Sequence, residues 1–276
     1  MRLLTFILVA QWYSFYTLII MFIKSNAKQT KNIPFILAIG VLALTSACTK
    51  KGNTGATGPA GPAYTGAISG HVDLYDQYGN KVLSGLSNAS LQLNGGTAIT
   101  PNASGYYLFG NLMTGDYDIT TTCTGYAATK TNNFQFLSDT LNKDIKLSAI
   151  PAFSPTSMTV YTALASPGDS LVINFTADTQ PRNCILFINS NTTAGNLPAN
   201  YVLAVTKAIP ANQTKVAIVI SATDLYAAGF SSGITFYCAA YGYVVGDVSV
   251  YEDLSTGKNV YNAVGASPVT TTAIVP

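Results

Sequence analysis

Charge is scarce in this chain. Of its 276 residues only 9% are Asp, Glu, Lys or Arg, against about 25% in ordinary soluble domains. Ser, Thr, Asn, Gly and Tyr take their place, which suits an extracellular β protein. There are two arginines, Arg2 and Arg182, and no basic stripe, which excludes nucleic acid as a partner. A single histidine, His71, excludes sites that need two and leaves a Ser-His-Asp arrangement no choice of base. Its place at the head of a strand reads as structural. The four cysteines include no Cys-x-x-Cys pair, so zinc is not expected. These shortages leave no nucleophile–base pair, metal or cofactor to suggest an enzyme.

Long apolar runs are confined to the first 47 residues. Leu3–Ile23 is long enough to span a bilayer and holds the only tryptophan, Trp12. Ile33–Ala47, of about 15 residues, has the length of a signal-peptide core. Between them Lys24, Lys28 and Lys31 carry charge with no acid. Read from Met21, the order is a basic start, an apolar middle and small residues before Cys48, a well-formed export signal. We expect translation to begin at Met21; the alternative is a true membrane helix followed by a second apolar segment. The formal charge of +2 also changes: residues 48–276 hold ten basic and twelve acidic side chains.

The end of the second run, "LTSAC", resembles the lipobox of bacterial lipoproteins, with Cys48 as the residue to be lipidated. Ser46 and Ala47 are small enough to admit the peptidase, and the thiol would carry the diacylglyceryl group. Thr45 departs from the usual leucine, with Leu44 one place back; ordinary cleavage after Ala47 is the other reading. Residues 48–65 follow as anchor and tether. Gly52, Gly55, Gly58 and Gly61 stand three apart, with Pro59 and Pro62 after the last two. This is collagen periodicity, too short for a triple helix and better suited to an extended spacer. Lipoproteins of the Bacteroidota have a similar lysine-and-triplet segment after the cysteine. The resemblance implies a membrane partner, through the lipid, and a cell-envelope address at the outer membrane or cell surface.

Residues 66–151 alternate with period two and carry frequent turn signals, the mark of strands. The stretches "GAISGHVDLYDQYGNKVLSGLSNASLQL" and "TPNASGYYLFGNLMTGDYDITTTCTGY" resemble the carboxypeptidase regulatory-like, or transthyretin-like, domain. The likeness runs from Gly70 to Leu91 and from Gly105 to Tyr126. It implies a Greek-key β-sandwich with Phe109, Leu112 and Tyr117 in its core and Gly105 and Gly115 at turns. That domain accompanies catalytic zinc domains without being catalytic. Asp73 and Asp76 match no calcium loop and read as strand-connection residues.

Residues 152–276 continue the pattern with seven candidate strands, 158–164, 170–177, 184–189, 201–207, 215–221, 234–241 and 247–252. The expected fold class is all-β: a transthyretin-like sandwich, then an immunoglobulin- or fibronectin-III-like one. Cys123 reads as a small buried hydrophobe. Cys184 and Cys238 both alternate inward and could meet as a disulfide or remain buried thiols. Tyr237, Tyr241, Tyr243 and Tyr251, with Tyr261, crowd the end of the chain. As exposed aromatics they are the candidate ligand surface, stacking on sugar rings; the plainer reading is that tyrosine is a good strand residue. Asp139-Thr140-Leu141 and Asp169-Ser170-Leu171 fit a Bacteroidota glycosylation triplet that chance also produces. The expected role is an envelope binding module for glycan or protein, or a structural spacer of an envelope complex, with no oligomeric state indicated.

Overall fold

The computed structural model describes residues 65–137, 139–162 and 168–276. The export signal, Cys48 and the glycine triplets lie outside the described residues. What is described is all-β, built from stacked sheets with a core in each sandwich and a third buried apolar cluster beside them.

The first sandwich contains β1 (Thr65–Tyr75), β2 (Lys81–Val82), β3 (Ser90–Leu93), β4 (Tyr106–Met113), β5 (Gly115–Thr122), β6 (Thr129–Phe136), β7 (Thr140–Asn142) and β8 (Ile145–Ser148). β1 is central, antiparallel to β2 and β4 and parallel to β7 and β8. The second layer is the antiparallel sheet β3-β5-β6. Alternation along β1 sends Ile68, Val72 and Leu74 inward to meet Tyr107, Phe109, Leu91, Ile119, Phe136 and Leu147. The turn before β4 needs glycine. Gly105 has φ +84°, and a Cβ there would lie 2.7 Å from the Val72 carbonyl oxygen.

The second sandwich sets β9 (Ser157–Thr162), β10 (Gly168–Asn174) and β13 (Lys215–Ser221) against β11 (Arg182–Asn189), β12 (Leu203–Ile209), β14 (Thr235–Tyr243) and β17 (Val269–Ile274). Leu171, Ile173, Ile218 and Ile220 from one layer pack on Leu186, Ile188, Phe236 and Cys238 from the other. After β13 comes α1 (Ala222–Ala227), started by a capping box: the Ser221 hydroxyl accepts the Asp224 amide at 3.0 Å. Among the described residues the sandwich strands number seven, but the last is β17; of the expected strand at 247–252, residues 247–250 form no strand and 251–252 belong to a separate hairpin, β15 (Tyr251–Asp253) and β16 (Lys258–Val260).

Cys184 and Cys238 are free, buried thiols. The strand register explains why the disulfide does not form. Ile188, not Cys184, is opposite Cys238 across β11 and β14, and Cys184 is opposite Gly242. Four residues of offset separate the two cysteines by about 13 Å along the strands, beyond the ~7 Å that a disulfide spans.

The two sandwiches are fused. Ala152 donates its backbone N–H to Gln77 Oε1 at 2.9 Å, and Val245 donates to the Gln77 carbonyl at 3.2 Å. Ser148 N–H donates to Ser249 Oγ at 2.6 Å, while Val248 N–H donates to Ser148 Oγ at 3.0 Å. The linker crosses β14 so closely that a Cβ on Gly242 would lie 2.2 Å from the Phe153 carbonyl oxygen. Beside it the buried guanidinium of Arg182 stacks on Phe153, 4.8 Å from the ring centre, and donates to the Thr176 carbonyl.

Candidate functional site: a cleft at the sandwich junction

The segment from Val244 to Val264 leaves β14 and folds back over the outer face of the four-stranded sheet. Ile185 and Phe187 therefore become as buried as their inward neighbours. An aromatic cluster pins this segment: the Phe187 ring lies 5.4 Å from Tyr201, 5.7 Å from Tyr241 and 5.6 Å from Tyr261. The Tyr243 hydroxyl donates to Asp247 Oδ2 at 3.0 Å. The β15–β16 hairpin forms the middle of this segment. Tyr201 donates its hydroxyl to the Asn259 carbonyl at 2.6 Å, and Lys258 Nζ donates to the Pro198 and Tyr201 carbonyls at 3.2 and 2.5 Å.

On its other flank the hairpin meets the first sandwich, where Asn132 Nδ2 of β6 donates to the Glu252 carbonyl at 2.7 Å. Between β6, the hairpin and the Leu197–Pro198 turn opens a cleft of about 550 Å³. That volume falls within the roughly 300–1,000 Å³ of small-molecule sites. Its apolar lining is Leu197, Pro198, Tyr251, Leu254 and Val260; Asn132 and Asn262 bring amides. Leu197 and Leu254 are exposed at 55% and 63%, apolar surface left to solvent at the mouth.

Of the charged side chains lining the cleft, Lys130 and Asp253 are compensated by neighbours, while Glu252 is exposed. Lys130 Nζ is 3.2 Å from Asp118 Oδ2. The Asn133 backbone N–H, and then Lys130, hold the Asp118 carboxyl below its usual range. Asp253 is held low by the Ser255 backbone N–H and hydroxyl and by Thr256, in a tight turn where both its oxygens accept hydrogen bonds. One polar atom stands apart: Asn132 Oδ1 is buried without a hydrogen-bond partner.

The sequence-predicted tyrosines separate in this frame. Only Tyr251 lines the cleft. Tyr243 is 6% exposed with its hydroxyl engaged, so the expectation of an exposed aromatic there is corrected: the folded-back segment covers it. Burial pushes its phenol up, and Asp247 adds to the shift. Tyr241 and Tyr261 belong to the same packing cluster, and Tyr237 lies half-buried further along β14. His71 donates its backbone N–H to Asp144 Oδ1 at 2.8 Å and packs edge-on to Tyr106. Asp73 pairs with Lys81 at 2.8 Å, and Asp76 accepts the Tyr78 and Asn80 amides of the following turn. Sequence reasoning missed Asn132, Leu197 and Leu254, because no local pattern shows that β6 and a distant hairpin face each other.

No family model matches the chain, and no curated protein matches it. Among solved structures it is similar to a DUF3823 family protein from Bacteroides uniformis, at 11% identity and TM-score 0.29, covering 78% of this chain and 100% of that one. A second protein from Bacteroides uniformis, provisionally described as carbohydrate-binding, aligns at 15% identity and TM-score 0.27 over 75% and 99% of the two chains. The major pilin subunit BcpA of Bacillus cereus aligns at 11% identity and TM-score 0.28 over 77% and 69%. Likeness at this level establishes no shared function, and the site stands on its own residues.

Proposed function

We propose that the chain is a lipid-anchored binding module of a bacterial cell envelope, with no catalytic step of its own. In this reading Cys48 carries the acyl chains, residues 49–65 act as spacer, and a transthyretin-like and an immunoglobulin-like sandwich present the junction cleft to a glycan or an envelope protein. The observation that supports it most is the cleft itself: an apolar-mouthed hollow, framed by elements from both sandwiches, whose exposed Leu197 and Leu254 serve no core. Two acyl chains give stable anchoring where one does not.

The test has two arms in cells. Labelled palmitate should enter the wild-type chain and not Cys48→Ala. A photo-cross-linking residue at Leu197 should capture a discrete envelope component, and one at exposed Val219 should not. A soluble, unlabelled chain contradicts the anchor; no adduct at Leu197 contradicts the binding role. The second reading, a rigid spacer subunit, draws on the hydrogen bonds fusing the sandwiches, and predicts no dependence on the cleft.

A further inference from the structure

The end of the first sandwich at which β1 begins carries apolar side chains that serve no core. Thr65, the first residue of β1, is directly opposite Met113, the last of β4. Gly115 of β5 is opposite Phe136, the last of β6, which sets Leu137 beside the β4–β5 turn. The Asp139 carbonyl accepts the Ala67 amide at 2.7 Å and closes the same end. Met113 and Leu137 are exposed at 61% and 67%, and neither joins a core cluster. The turn that presents Met113 is held in shape, because the Tyr117 hydroxyl donates to the Met113 carbonyl at 2.9 Å. Two carboxylates, Asp116 and Asp139, are exposed beside them, and residues 112–117 and 136–140 contain no lysine or arginine.

We propose that this tip docks on the bilayer surface, with Met113 and Leu137 entering the acyl boundary and Asp116 and Asp139 facing the ammonium groups of zwitterionic phospholipid. This rests on the lipid anchor at Cys48 proposed above. The occupant follows from where the rest of the chain joins. Only sixteen residues, 49–64, separate Cys48 from Thr65, and even fully extended they span at most about 55 Å. An acylated Cys48 therefore keeps this end of the sandwich close to lipid. Two apolar side chains offer less surface than a myristoyl chain, which alone binds only marginally. The tether makes their contact intramolecular, at an effective concentration on the order of millimolar. The charge also selects the surface: carboxylates without a cation beside them favour ammonium headgroups and oppose anionic ones. Docking this way orients the protein. Lys130, at the cleft, is seven residues before Leu137 along β6, so the cleft opens roughly 20 Å from the docked tip.

The experiment is tryptophan fluorescence on the full chain, expressed in cells with labelled palmitate and reconstituted into vesicles. The vesicles are phosphatidylethanolamine doped with acyl-brominated phosphatidylcholine, with a second set in which phosphatidylglycerol replaces the phosphatidylethanolamine. Leu137→Trp is the reporter and Val219→Trp the control, both at exposed positions that spare the core. Trp12 is the only native tryptophan, and the parent chain supplies its blank. The expected result is a blue-shifted emission at 137, quenched by bromolipid about twofold or more above that at 219. Met113→Ser in the Leu137→Trp chain should reduce that quenching, and so should phosphatidylglycerol. Equal quenching at 137 and 219, none at 137, or indifference to Met113→Ser overturns the docked tip; with palmitate on Cys48, the anchor still stands. Stronger quenching in phosphatidylglycerol overturns the headgroup assignment. A chain that takes no palmitate and stays in the aqueous phase overturns anchor and docked tip together.

Discussion

Ser148 and Ser249 meet across the junction of the two sandwiches, 101 residues apart, with the Ser148 amide donating to the Ser249 hydroxyl at 2.6 Å. Both serines are fully buried. Ser148 Oγ in turn accepts the Val248 amide, so each serine serves the other's strand or loop. Removing one hydroxyl leaves a buried amide without its partner. Ser249→Ala should cost about 1–3 kcal/mol, read from the urea midpoint at unchanged slope, whereas an exposed serine such as Ser232 changed to alanine should fall within about 0.5 kcal/mol of wild type.

The aromatic cluster predicts a graded series. Tyr243→Phe keeps the ring and loses the hydrogen bond to Asp247, about 1 kcal/mol. Tyr243→Ala also opens a hole between the sheet and the segment over it, and should cost about 3–5 kcal/mol. Thermal unfolding separates the two. A Tyr243→Ala protein as stable as wild type would show that the ring is not part of the packing.

Three carboxylates predict acid sensitivity. Burial works against ionising Asp76, but the amides of Asn80 and Tyr78 outweigh it and lower its value. Asp118 is lowered by Asn133 and Lys130, and Asp253 by Ser255 and Thr256. Groups whose folded values lie below the ordinary 3.8 contribute stability that is complete above that value. It is lost as pH falls through the depressed folded values. The melting temperature should therefore hold from neutral pH and drop below about pH 4. Asp76→Asn should flatten part of that drop; an unchanged acid slope in all three Asn variants would contradict the assignment.

The thiols should be inert. Burial pushes Cys184 and Cys238 up to about 12, far from the thiolate form that reacts. Alkylating reagents should modify them only after unfolding, and reductant should leave the melting temperature unchanged. A mapped Cys184–Cys238 bond would contradict the strand register.

Strand identity was legible along most of the chain because alternation marks half-buried strands: 215–221 reads directly as Lys215–Ser221. Where burial is two-sided the signal changes. "CILF" within β11 is a continuous apolar run, which marks a strand covered on both faces. Reading only its inward phase, Cys184, Leu186 and Ile188, hid the cover over Phe187 and so the burial of Tyr243. The short helix after β13 was not expected from strand alternation; Ser221 and Asp224, three apart, form the capping box that starts it. The cleft was not legible, since Asn132 and Glu252 are 120 residues apart and meet only through the docking of two sandwiches.

That docking underlies the whole account, and amide hydrogen exchange tests it most directly. Val248, Val245 and Ala152 donate across the junction. If the sandwiches form one body around the cleft, these amides exchange with the same opening free energy as core amides such as Leu186 and Phe109. Fast exchange at all three while both cores stay protected would show two independent domains and no fixed cleft between them.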